Sequence, residues 1–231
     1  MTRLAKLLAP VGLVLAATVA LPAHAQVEGR IATVDVTRTI IGTTAFQTAY
    51  EQVTTTYASQ NDLRRAKAQE RQTMLAKFDK NKDNNIEGDE KVAMEKSPDY
   101  AKLQTLEQEI VGLSNQVDGA RVYAVEQIIM QYASALQDVT TKQQIKIVID
   151  PNSLLFTAPE ADITQQVTAA LNARVPAVGV VPPSGWQPSR EGVQIYQDIQ
   201  QRLALAAQLQ QQQAAQQQQQ QQGNTAAPVG R

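Results

Sequence analysis

One window concentrates the chemistry that this sequence offers: Asp79-Lys80-Asn81-Lys82-Asp83-Asn84-Asn85-Ile86-Glu87-Gly88-Asp89-Glu90. Oxygen-bearing side chains fall on its first, third and fifth positions, Asp79, Asn81 and Asp83. The seventh, Asn85, offers its backbone carbonyl; the ninth is Glu87, and the twelfth is Glu90, whose two carboxylate oxygens can bind together. Calcium takes about six to eight such hard oxygen ligands, and this spacing wraps them around one ion. Without a cation, the five acids of the window (Asp79, Asp83, Glu87, Asp89, Glu90) repel one another. With one, the flanking helices would be clamped at a defined angle. The alternative is a polar, turn-rich tip that ends one helix and starts the next.

The window resembles an EF-hand calcium loop, with Ile86 at the apolar eighth position and Phe78 ahead of it. The resemblance implies Ca2+ held by Asp79, Asn81, Asp83, Asn85, Glu87 and Glu90. It departs at Asn84, where that family has glycine; asparagine is the next most tolerant of positive φ. A single unpaired loop implies weak binding, in the roughly 10⁻⁴–10⁻³ M range of extracellular sites.

Two long helices must carry this loop. The first is expected over about residues 43–78, with Phe46, Tyr50, Val53 and Tyr57 at helical spacing before the sequence turns polar. Five basic residues against two acidic ones from Asn61 to Lys77 read as a solvated helix face. Contact with acidic partners or the membrane surface is the sharper alternative. Ser97-Pro98 is expected to cap the second helix, which runs to about Lys142. Its Leu103, Leu106, Ile110, Leu113, Val117, Ala120 and Ala124 alternate spacings of three and four, a heptad seam. Roughly 45 helical residues at about 1.5 Å each reach some 65 Å, too long for an ordinary domain. The pair reads as an antiparallel coiled-coil hairpin over residues 43–142, with the loop at its tip.

Strands are expected at both roots: Arg30–Val36, then Gln144–Asp150 with Ile145, Ile147 and Ile149 on one face, then Ser153–Thr157. A short amphipathic helix follows from Asp162 to Leu171. Pairing the strand near Ile31 with that near Ile147 seats both roots on one small sheet. The fold class is thus α+β, with a discontinuous β-rich core over residues 26–42 and 143–173. So small a sheet cannot hide its own faces. Either an oligomer or the short helices of the same chain must cover it. A Pro-rich linker is expected at 174–188, then over 189–231 a helix starting at Ser189 and a Gln-rich, low-complexity tail.

The first 25 residues read as a secretory signal peptide: Arg3 and Lys6, an apolar run to Leu21, then Ala23-His24-Ala25. The run is too short to span a bilayer. Cleavage removes two of the 21 basic residues and none of the 22 acidic ones, leaving a net charge of about −3. That argues against a nucleic-acid partner, which needs a basic surface. The sole histidine, His24, leaves with the leader, cysteine is absent, and no Gly-rich phosphate loop appears. No enzyme is read from this set.

In this order the elements resemble the Skp/OmpH family of periplasmic chaperones. The carrying residues are Arg30-Ile31-Ala32-Thr33-Val34-Asp35-Val36, Ile147-Val148-Ile149-Asp150-Pro151-Asn152, and Phe156 to Leu171 around Ala161-Asp162-Ile163-Thr164. The resemblance implies a homotrimer with a β-rich body and helical arms that hold unfolded outer-membrane proteins without ATP. Family arms are often strongly basic, whereas this chain is slightly acidic. The residues after Asn172 have no counterpart in shorter relatives, and no role is read from them. A calcium-responsive envelope adaptor, docking through its tail, is the competing reading.

Overall fold

The two hairpin roots meet in a parallel pair of strands, β1 (Arg30–Thr33) and β2 (Ile145–Ile149), with Ile31 opposite Ile147. A parallel pair needs a long crossover connection, and here that connection is the whole arm. This computed structural model describes residues 30–225, with side chains to residue 217; the leader read at 1–25 lies outside the described residues.

β1 is shorter than the seven-residue strand expected. Asp35 ends it by capping α1 (Val36–Ile41), its carboxylate accepting the Arg38 N–H at 2.9 Å. β2 departs from clean alternation. Arg30 faces Ile145 but Ile31 faces Ile147, so the register shifts by one residue at Lys146. Ile145 and Val148 therefore pack on the core. Ile147 and Ile149, on the other face, are partly buried; Ile147 lies opposite Ile31 at 55% exposure and Ile149 opposite the buried Thr33. The strand expected at 153–157 is absent. Pro151–Ser153 form a 3-10 turn, with Asp150 accepting the Asn152 N–H, and the chain then leaves the sheet. Leu155 and Phe156 stand in the open at 108% and 84% exposure.

The expected first helix is broken at Tyr57 into α2 (Thr44–Thr56) and α3 (Ala58–Leu75). A short α4 (Gly88–Glu95) precedes α5 (Tyr100–Lys142). Ser97 does not cap α5. Its hydroxyl accepts the Asp99 N–H at 3.1 Å, closing a turn around Pro98 so that the helix starts two residues later than expected. No helix among the described residues is long and apolar enough to cross a membrane.

The core forms where α1, α2, α5, α6 (Thr164–Arg174) and α7 (Arg190–Thr225) converge on β1 and β2. Ile40, Ile128, Val167, Leu171 and Ile199 are fully buried there. Ile199 belongs to the segment for which the sequence suggested no role. Its helix starts as expected, Ser189 capping it through the Gly192 N–H. It then continues through the Gln-rich run and packs its first turns on α1 and α5.

Candidate functional site

The arm is held by apolar clusters at its root and tip. Ala49, Val53, Val117, Ala120 and Ala124 close the root; Met74, Leu103 and Leu106 close the tip, with Phe78 and Met94 against them. Between them the seam loosens. Ile110 and Leu113 are only half-buried, and a Cβ at Gly112 would meet nothing. Ion pairs run along the outside: Lys67–Glu109 at 2.6 Å, Lys102–Glu70 at 2.6 Å, Arg71–Glu107 at 3.4 Å and Lys77–Asp99 at 3.2 Å. Lys102 donates to Glu70 and holds that carboxyl below its usual range. Four of the five basic residues between Asn61 and Lys77 are thus matched by acids, Arg65 by Asp62.

At the tip, the window from Asp79 to Glu90 folds into a closed turn. Asp79 Oδ2 accepts the Asn84 N–H at 3.0 Å. Asn81 accepts from the Asp83 N–H at 3.0 Å, and Asp83 from the Asn85 N–H at 2.7 Å. Glu90, in the first turn of α4, reaches back to accept the Lys80 and Asn81 N–H groups at 2.7 and 3.3 Å. These bonds bring Asp79, Asn81, Asp83 and Glu90 around one loop. Asn84 takes φ +65° and Lys82 φ +61°. A left-handed residue without glycine costs about 1–2 kcal/mol, which this network must offset. Asp79 Oδ1 is buried and has no hydrogen-bond partner. Glu87 stays exposed at the start of α4 without a side-chain cap bond. Among the described residues no group of three or more Asp, Glu, His or Cys is close enough to hold a metal by itself. A cation here would depend on Asn81 and the Asn85 carbonyl as well as the carboxylates.

The segment after α6 is fastened to α5 by polar contacts that sequence reasoning missed. Gln127 exchanges two hydrogen bonds with the Gly179 backbone, at 2.9 and 3.0 Å. Glu126 accepts from the Trp186 indole at 3.2 Å and the Ser189 N–H at 2.6 Å, while Trp186 packs edge-on against Tyr123. Tyr196 donates to Asp118 at 2.6 Å, Gln200 donates to the Tyr50 hydroxyl at 3.1 Å, and Arg202 pairs with Asp35 at 2.7 Å. Burial pushes the Tyr50 phenol up to about 12 against the opposing pull of Arg121. The signal available in the sequence was the spacing of Val193, Tyr196, Ile199 and Leu203, one face of a helix.

The described residues form a small α+β body that sends out one long two-helix arm. The chain belongs to the OmpH-like outer membrane protein family, whose profile matches residues 30–171, from β1 through the arm to α6. Among solved structures, the crystal structure of an OmpH-like protein from Caulobacter crescentus CB15 is similar at 18% identity. That match covers 68% of this chain and 92% of the other, with a TM-score of 0.38. No curated protein matches. The fastened segment after α6 lies beyond the family match.

Proposed function

We propose that this protein is an ATP-independent holdase of the periplasm that keeps unfolded outer-membrane proteins from aggregating. The observation that carries the reading is the family match, which spans both root strands and the arm between them. Unfolded clients expose apolar surface that aggregates, and mobile arms can surround such a client through many weak contacts without fixed complementarity. Antiparallel packing of α3 on α5 makes the arm. A homotrimer supplies several arms around one client. Ile31, Leu155 and Phe156 are large apolar side chains left exposed, which supports self-association, since exposed apolar patches mark such contacts.

The tip loop tunes the arm by binding calcium through Asp79, Asn81, Asp83, Asn85, Glu87 and Glu90. Two left-handed residues, a carboxylate oxygen left without a partner and the inward Glu90 support this. The test is light scattering of a urea-diluted outer-membrane β-barrel protein with and without the purified mature chain, in calcium and in chelator. Suppressed scattering near one oligomer per client is the expected result. A calcium difference ties the loop to holding. No suppression in either condition overturns the holdase reading and favours an envelope adaptor.

A further inference from the structure

A cavity of about 860 Å³ lies between α7 and the body. This is within the roughly 300–1,000 Å³ that ligand sites occupy. One wall is family sequence, from α1, α5 and the turn after β2; the other is α7, outside the family match. The lining is not evenly charged. Asp35, Asp150, Glu191 and Asp198 face one cationic group, Arg202, which Asp35 already engages. Between the acids run apolar surfaces from Val36, Ile129, Ile195 and Leu205. Tyr132 also lines the cavity, and its hydroxyl is buried there without a hydrogen-bond partner. Its burial, with the Asp35 and Asp150 charges near it, pushes that phenol up to about 12. Among the described residues, Asp150, Glu191 and Asp198 therefore line the space without an ion-pair partner.

We propose that this cavity binds a short peptide segment carrying a lysine or arginine beside an apolar residue. The carboxylates attract the cationic group by charge complementarity, each pair being modest because the space is open to solvent. The apolar strip takes the neighbouring side chain and the aliphatic stem of the basic one. Because half of the wall is α7, an occupant bridges that helix to the body. The inference does not depend on the holdase reading.

The test is fluorescence anisotropy of a labelled peptide of alternating leucine and lysine, titrated with the full mature chain. Matched peptides carry glutamate for lysine, or serine for leucine. The leucine–lysine peptide should bind and both matched peptides should bind weakly. The paired change Asp198→Asn with Glu191→Gln should weaken binding by about tenfold, from two pairs each worth up to about 1 kcal/mol. Leu205→Ser, at an exposed position on the same wall, should also weaken it. The exposed acids Glu51 and Glu160 lie outside the cavity lining, so the pair Glu51→Gln with Glu160→Gln should leave affinity unchanged. Equal weakening by both acid pairs, or none by the cavity pair, overturns the proposal. The titration reads peptide binding directly, so its failure is distinguishable from a failure to suppress aggregation.

Discussion

If the segment beyond the family match is part of the fold, truncating its buried residue must cost as much as a core mutation. Ile199 is fully buried, among core residues from α1, α5 and α6. Ile199→Ala removes three carbons, worth about 2.4 kcal/mol at about 0.8 kcal/mol per buried CH2. The cavity left behind adds to that, so about 3 kcal/mol is expected, inside the roughly 2–5 kcal/mol seen for such truncations. Leu209→Ala, on the same helix but about half exposed, should change stability by no more than about 0.5 kcal/mol. The assay is urea unfolding followed by far-UV circular dichroism. Protein concentration must be fixed, because any self-association would stabilise the folded state by mass action. A shift below about 0.5 kcal/mol for Ile199→Ala would refute the docking of α7. The result also bears on deletion after Asn172, which would strip the Ile199, Tyr196 and Arg202 contacts. Loss of activity on deletion would then not separate a missing docking segment from a damaged body.

Three further outcomes follow from the geometry. Calcium near 10 mM should stabilise the chain by about 1.4–2.7 kcal/mol if the tip site has a Kd of about 10⁻⁴–10⁻³ M. Glu90→Gln should abolish that thermal shift, whereas Asn84→Gly, which suits φ +65°, should keep it. The folded phenols of Tyr50 and Tyr132 are raised from 10.0 to about 12. Their contribution is therefore complete below pH 10 and lost as pH rises toward 12. Tyr132→Phe should flatten part of that alkaline limb in pH-dependent unfolding without destabilising at pH 7, because its hydroxyl bonds nothing. In the arm, Leu106→Ala should cost about 2–5 kcal/mol and Leu113→Ala clearly less, because Leu106 is buried in the tip cluster and Leu113 is half-exposed in the loose middle. Equal costs in denaturant melts would mean that the seam packs uniformly.

What was legible depended on whether a residue's partners are near in sequence. The long helices, the strand pairing through Ile31 and Ile147, and the cap at Ser189 are written in local spacing and residue type. The tip loop is equally local: its hydrogen bonds join residues two to ten apart, and Asn84 takes the positive φ its place requires. The seam from Leu103 to Ala124 repeats without a miss, but repetition cannot show that its middle is loose. That depends on what α3 sets opposite, and α3 buries only Met74.

The shift at Lys146 shows why the rest was hidden. Ile145, Ile147 and Ile149 alternate faultlessly in sequence, yet a single extra residue on one strand moves the core face from Ile147 to Val148. Only the register with a strand more than a hundred residues away fixes that choice. The same displacement turns Ile147 and Ile149 away from the core face. Ile147 lies opposite Ile31 and Ile149 opposite the buried Thr33, while the expected third strand is replaced by a 3-10 turn at Pro151–Ser153 and an irregular stretch that leaves Leu155 and Phe156 exposed. The chain's own elements therefore cover the face of Ala32 and Val148, and on the other face leave Ile31 exposed. α7 deepens the asymmetry, because it closes over the covered side and contributes Ile199 there. The two possibilities left by the sequence, burial by the chain's own helices and burial by a second copy, are thus not exclusive. If a second copy covers the exposed Ile31, Ile31→Ser should lower the oligomeric state in light scattering at fixed concentration, whereas Ile199→Ala should affect folding.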